Sequence, residues 1–197
     1  MLTTVRNRSP VLLPLTPAPA SLPAAFPFRA VGWDMADHPI RDLHHHEGLE
    51  LGCCQAGRGV FLVGGTMAPF RAGTCVIVAP GVPHRARSDP GSTSRWTFCW
   101  LDPARVLAGC PVPGRLLRTE RLAGARFPAV ADPADHPGLS LLFTALSAEA
   151  TGRGDREVLR GLCWAVLARF SSRRSCQGWH SFFFQKFGSG MFFFALQ

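Results

Sequence analysis

Between residues 28 and 101 the chain breaks into seven or eight short apolar runs, each closed by a turn, and this density limits what it can fold into. The clearest unit is Arg58-Gly59-Val60-Phe61-Leu62-Val63, then Gly64-Gly65, then Thr66 to Phe70. Two consecutive glycines supply the positive φ angles that a tight β-hairpin needs. Around it, Phe28 to Trp33, Ile40 to His46, Gly48 to Cys54, Thr74 to Val78 and Pro83 to Arg87 read as further strands. Ser94 to Leu101 alternates, with Trp96, Phe98 and Trp100 on one face and Arg95, Thr97 and Cys99 on the other. So many short strands with no helix between them predict a sandwich or barrel rather than a helix-layered sheet. At 197 residues the chain holds one such domain with extra segments.

The texture differs on either side of this region. Residues 1–25 are rich in proline, alanine and leucine without period, and read as an extended, poorly ordered arm. The strand-rich part is expected over residues 26–110, and a glycine- and proline-rich linker over 111–136. Leu139, Leu142, Phe143 and Leu146 then recur at helical spacing, with Pro137 in the first turn and Gly152 as the stop. Asp155 caps a second helix whose apolar positions include Val158, Leu162, Val166 and Phe170. From residue 171 no period survives. The tail, residues 171–197, holds Phe182-Phe183-Phe184, Phe192-Phe193-Phe194 and the chain's one lysine, Lys186, against an arginine- and alanine-rich body.

Charge and cysteine narrow the function classes. The formal charge of +8 comes almost wholly from scattered arginines, with no basic track interleaved with aromatics, so it does not by itself mark a nucleic-acid face. Seven cysteines without a CxxC pair read as reduced packing thiols of a cytoplasmic protein, not as a zinc knuckle. Arg6, Arg8 and Val11 to Leu15 imitate a signal peptide, but Pro14, Pro17 and Pro19 interrupt it. The stretch also falls short of the ~20 residues a membrane helix needs.

The chemistry concentrates between residues 44 and 84. His44 and His46 share parity on an extended segment and therefore one face, with Glu50 after the turn. His84, after Pro80-Gly81-Val82-Pro83, supplies a third imidazole from another strand. Three imidazoles and a carboxylate suit a first-row divalent metal (zinc, iron, nickel or manganese) with positions left open. The same side chains serve equally as hydrogen-bonding partners of a polar ligand in a metal-free pocket.

His-x-His-x3-Glu-x6-Gly over residues 44–57, fifteen intervening residues, and Gly73-x6-Pro80-Gly81-x-Pro83-His84 together resemble the paired motifs of the cupin superfamily. Within it, the stretch from Arg71 to His84 most resembles the sensor domain of AraC-type transcription regulators. The resemblance implies a mainly β fold, a cupin-like antiparallel barrel of jelly-roll type, followed by a C-terminal helical hairpin. It implies a pocket formed by His44, His46, Glu50, His84, Trp96, Phe98 and Trp100, and a small effector, sugar-like or another polar metabolite. It also places homodimerisation on Leu139, Leu142, Phe143, Leu146, Val158, Leu162, Val166 and Phe170 of segment 137–170. His38 stands where the general motif begins with glycine, and Ser88 where enzymes often carry asparagine; neither removes a ligand.

The expected function is an effector-sensing, dimerising regulator domain without catalytic residues or a membrane partner, its DNA contact left to an absent helix-turn-helix half. A metal-dependent cupin dioxygenase or isomerase, and a metal-free sugar-binding cupin, are the alternatives. The tail reads as out of frame, standing in place of a lost continuation. Reading the downstream DNA in all frames tests this: coding sequence in another frame is the expected outcome, and its absence sinks the reading.

Overall fold

A computed structural model describes residues 11–18, 21–124, 127–172, 186–187 and 190–193. Two five-stranded sheets form the body. The first has the order β11-β8-β5-β10-β3, from Val130–Ala131 (β11), Cys75–Val78 (β8), Leu49–Ala56 (β5), Ser94–Leu101 (β10) and Phe28–Met35 (β3). The second has the order β2-β4-β9-β6-β7, from Leu15–Pro17 (β2), Leu43–His45 (β4), His84–Ser88 (β9), Arg58–Val63 (β6) and Thr66–Arg71 (β7). All pairs in both sheets are antiparallel except β2 with β4, which is parallel. Among the described strands no pairing joins one sheet to the other, so the expected barrel is cupin-like but not closed.

The Gly64-Gly65 hairpin forms as its glycines predict, with φ of 53° and 90°. The arm departs from expectation: β2 lies along β4 in register Leu15 to Leu43, and the Leu43 amide donates to the Pro14 carbonyl at 2.9 Å. Composition gave no sign of this, because the order comes from a partner strand and not from the arm's own residues. The linker likewise supplies β11 and buries Leu116 and Leu122. Val11–Leu12 (β1), Lys186–Phe187 (β12) and Gly190–Phe193 (β13) form a separate three-stranded sheet in the order β1-β13-β12. The rest of the phenylalanine-rich tail lies outside the described residues.

The central strands β5 and β8 are buried on both faces, which explains why Cys75 to Val78 reads as a continuous apolar run and why only Glu50 interrupts Leu49 to Cys54. The first sheet's inner side, with Cys54, Val76, Val78, Trp96 and Phe98, packs on Phe61, Val63, Ala68, Phe70 and Ala86 of the second sheet. Its outer side, with Leu49, Leu51, Cys53, Cys75, Ile77, Cys99 and Leu101, packs on two helices, Pro137–Thr151 (α2) and Arg156–Ser171 (α3). A shorter helix, Pro103–Val106 (α1), precedes them. Helix α3 begins as predicted, the Asp155 carboxylate accepting from the Glu157 and Val158 amides at 2.9 and 3.1 Å. Strand β10 is not half-buried, because the helices also cover Cys99 and Leu101.

This packing corrects the dimerisation assignment. Leu139, Phe143, Leu146, Val166 and Phe170 are buried in the chain's own core, and Leu142 and Leu162 pack against it. Of the eight residues only Val158 is exposed, at 46%. The apolar stripe was legible; the surface it covers turns out to be the sheet.

Gly52 tests the inner packing. A Cβ there would stand 2.7 Å from Val76 Cγ2 and 2.8 Å from the Phe98 ring. Overpacking of this kind costs about 1–3 kcal/mol, so Gly52→Ala is expected to lower the thermal midpoint by several degrees, measured by circular dichroism.

Candidate functional site

Both sheets contribute to one cluster of ionisable side chains in the interior. His44 on β4 and His84 on β9 are directly paired across their strands. His46 follows β4 at the turn into β5. Glu50 projects from β5 of the opposite sheet, flanked by Trp100 of β10 and Val78 of β8. The four side chains each offer one donor atom, and these atoms all lie within 4.8 Å of one another. His46, Glu50 and His84 are buried, and His44 is half-buried towards the mouth.

Hydrogen bonds fix how the rings present themselves. His46 Nδ1 is 2.8 Å from the Ala18 carbonyl and His84 Nδ1 is 2.9 Å from the Val82 carbonyl. Carbonyl oxygens only accept, so both Nδ1 atoms carry the proton and both Nε2 atoms of the neutral rings hold a lone pair. Those Nε2 atoms stand 3.0 and 3.3 Å from Glu50 Oε2, within ion-pair range but out of line for a hydrogen bond. The same oxygen accepts the Trp100 indole N–H at 2.8 Å. Two lone pairs therefore face a carboxylate in a buried space, an arrangement that needs a cation: a proton on a ring or a metal among the donors.

The electrostatics follow from that crowding. Burial alone would raise the Glu50 carboxyl, but the His84 and His46 rings outweigh it and hold it far below the usual carboxylate range. Burial likewise works to lower His46, yet its closeness to Glu50 and the Ala18 carbonyl raise it above the ordinary imidazole value. For His44 the balance falls the other way: burial, then the neighbouring His84, push it down to about 3 against the opposing pull of Glu50. Its Nδ1 lies 3.5 Å from Arg85 Nη1, and that guanidinium also reaches Asp42 at 3.6 Å.

The expected pocket residues are only partly brought together. Trp100 touches the cluster, its ring 5.4 Å from His46. Phe98 stacks between Trp100 and Trp96, at 6.2 and 5.3 Å. Trp96 is fully buried, donates to Ser94 Oγ at 3.1 Å and meets Phe70 edge-on, so it belongs to the inter-sheet core. Sequence reading missed the carbonyls of Ala18 and Val82, since backbone acceptors leave no residue signature. It also missed a cleft of about 450 Å³ at the end of β5 and β10, lined by Leu22, Glu47, Leu49, Leu101, Asp102 and Leu117 among others, with none of the four cluster residues.

Comparison with known proteins bears on this arrangement. A family model described as the AraC-like ligand binding domain matches residues 27–167, which takes in both sheets' main strands, the four-residue cluster and the helical hairpin. The chain belongs to that family. Solved structures resemble parts of this AraC-like ligand-binding domain. A Cupin 2 conserved barrel domain protein from Salinispora arenicola is 24% identical, over 42% of this chain and 69% of that one, with a TM-score of 0.37. The plu4264 protein from Photorhabdus luminescens is 16% identical over 40% of this chain and 65% of that one, with a TM-score of 0.36. The AraC-like transcriptional activator CuxR is 12% identical over 76% of this chain, with a TM-score of 0.44; the match takes in 52% of that protein. No curated protein matches the chain.

The low value for His44 sets a pH dependence. Its proton is bound by the unfolded chain from about pH 6.5 downwards but refused by the folded one until about 3, so stability falls as pH drops through this window. In buffer containing a chelator, the thermal midpoint of the wild type is expected to fall from pH 6.5 towards 4, and His44→Asn is expected to flatten that slope.

Proposed function

We propose that the chain is the small-molecule-sensing domain of an AraC-type transcription regulator, and that His44, His46, Glu50 and His84 hold a divalent metal beside which a polar effector binds. The observation that carries the metal reading is the pair of buried Nε2 atoms, on His46 and His84, that make no hydrogen bond although each stands within 3.3 Å of the buried Glu50 carboxylate. The donor set fits zinc, iron, nickel or manganese, and the carbonyls behind both rings are the outer-shell partners that metal-ligating histidines ordinarily have. A bound metal would supply a Lewis acid with open positions for an oxygen-rich metabolite such as a sugar. The protein's own part is to hold the two tautomers, exclude water with Phe61, Phe98 and Trp100, and present Arg85 and His44 at the mouth.

Metal analysis after purification is expected to give about one equivalent per chain, lost in both His46→Ala and His84→Ala. Absence of metal from the wild type after incubation with each of the four ions overturns the metal reading and leaves a metal-free pocket. Turnover of a candidate substrate by the metal-loaded protein would favour a cupin dioxygenase or isomerase over a sensor.

Homodimerisation is the second part of the proposal, moved to the solvent side of the hairpin, where Leu141 is 72% exposed and Val158 46%. Leu141→Glu with Val158→Glu is expected to convert dimer to monomer in sedimentation velocity at unchanged fold. A wild type that is monomeric at tens of micromolar sinks this part. DNA contact is assigned to a helix-turn-helix unit, none of which lies among the described residues; binding by the domain's scattered arginines is expected to be weak and salt-sensitive. No described helix is long and apolar enough to cross a membrane.

A further inference from the structure

Four of the cysteines meet on the helix-facing side of the first sheet: Cys53, Cys75, Cys99 and Cys163 all belong to the core beneath α2 and α3. Two of them are special in register. Cys53 on β5 and Cys75 on β8 are direct cross-strand partners, and their sulfurs lie 3.7 Å apart, with the Cys75 thiol donating to Cys53. A disulfide needs the two Cβ atoms close together on the same side and a short Cα separation, and directly paired residues on one face of neighbouring antiparallel strands provide both. The geometry points to Cys53–Cys75 as an oxidation site, forming a reversible intrachain disulfide in response to a hydroperoxide.

The surroundings single out this pair. Cys54 lies next in sequence but faces the other side of the sheet, in the inter-sheet core, and burial pushes its thiol up to about 12. Burial does the same to Cys99, also to about 12, so both stay protonated and inert. The Cys53 thiol is drawn the other way, chiefly because the Cys75 S–H donates to it. The outer edge of β8 is paired with the two-residue strand β11, with Ala131 opposite Cys75, and the Ile77 amide donates to the Ala129 carbonyl just before it. Short edge pairing of this kind opens locally without global unfolding, which gives a small oxidant its route.

The chemistry balances without a cofactor. The Cys53 thiolate attacks one oxygen of hydrogen peroxide, the O–O bond breaks, hydroxide leaves, and a sulfenic acid forms. The Cys75 sulfur, giving up its proton, then attacks the Cys53 sulfur and expels the hydroxyl as water. In sum, two thiols lose two electrons and two protons, and one peroxide becomes two waters.

The bond would be felt at both ends of the domain. Cys75 also reaches the Gly73 carbonyl at 3.5 Å, and that carbonyl accepts the Ser140 hydroxyl of α2 at 2.6 Å. Along β5, Glu50 sits three residues from Cys53. Drawing the sulfurs from 3.7 Å to the ~2.05 Å of a disulfide therefore pulls on the seat of the helical hairpin and on the strand that carries the cluster's carboxylate.

The test uses the reduced full chain in native buffer, treated with hydrogen peroxide, alkylated, then denatured and digested with trypsin. The free-thiol count is expected to fall from seven to five, with residues 42–58 joined to residues 72–85 in one species two hydrogens lighter than the sum. Dithiothreitol is expected to separate them. The link is expected to persist in Cys54→Ser and to vanish in Cys53→Ser and Cys75→Ser. A link through Cys54, oxygen added to Cys53 while Cys75 still alkylates, or seven thiols surviving until denaturant is added would each overturn the proposal. Fragmentation of the linked wild-type peptides between Cys53 and Cys54 decides which of the two is joined, even if a serine variant folds poorly.

Discussion

A carboxylate buried between two sheets is the constraint on which the arrangement turns. Leaving Glu50 unpaired there would cost several kcal/mol, so the fold must bring compensating groups to it from elsewhere. They come from three places: Trp100 from the adjacent strand, His46 from the turn before β5, and His84 from the opposite sheet. The two sheets are not joined by strand pairing among the described residues. Their apposition rests on the aromatic and aliphatic layer of Phe61, Phe70, Trp96 and Phe98 and on this polar bridge near the mouth.

The first sheet has a second obligation, since its far side is as apolar as its near side. Helices α2 and α3 meet it with Leu139, Phe143, Leu146, Cys163, Val166, Leu167 and Phe170. The hairpin is thus part of the domain's core and not a separable appendage, and any surface for a partner must be on its other side. One layer of strands carries the pocket on one face and the helices on the other. A change in strand position at β5 or β8 consequently reaches both.

Much of this was legible in one dimension because the relevant signals are local. The double-glycine turn, the cap at Asp155 and the helical spacing after Pro137 each depend on near neighbours, and each appears in the fold. The arm was misread for the opposite reason: β2 has no strand signal of its own and is ordered by its parallel partner β4. The dimerisation residues were misassigned because an amphipathic stripe states only that a helix buries one face, not against what.

The sequence by itself determined the donors and their parity: His44 and His46 share a face because side chains alternate along a strand, and the two motifs set Glu50 and His84 at positions able to join them. Only the tertiary structure decided that these four atoms converge, that the barrel stays open, and that Trp96 belongs to the core while Trp100 meets the site. It alone assigned the proton on each ring, through the carbonyls of Ala18 and Val82. Residue types and spacing specify which groups are available, whereas burial and the nearest lone pair specify which protonation state and which partner each one takes.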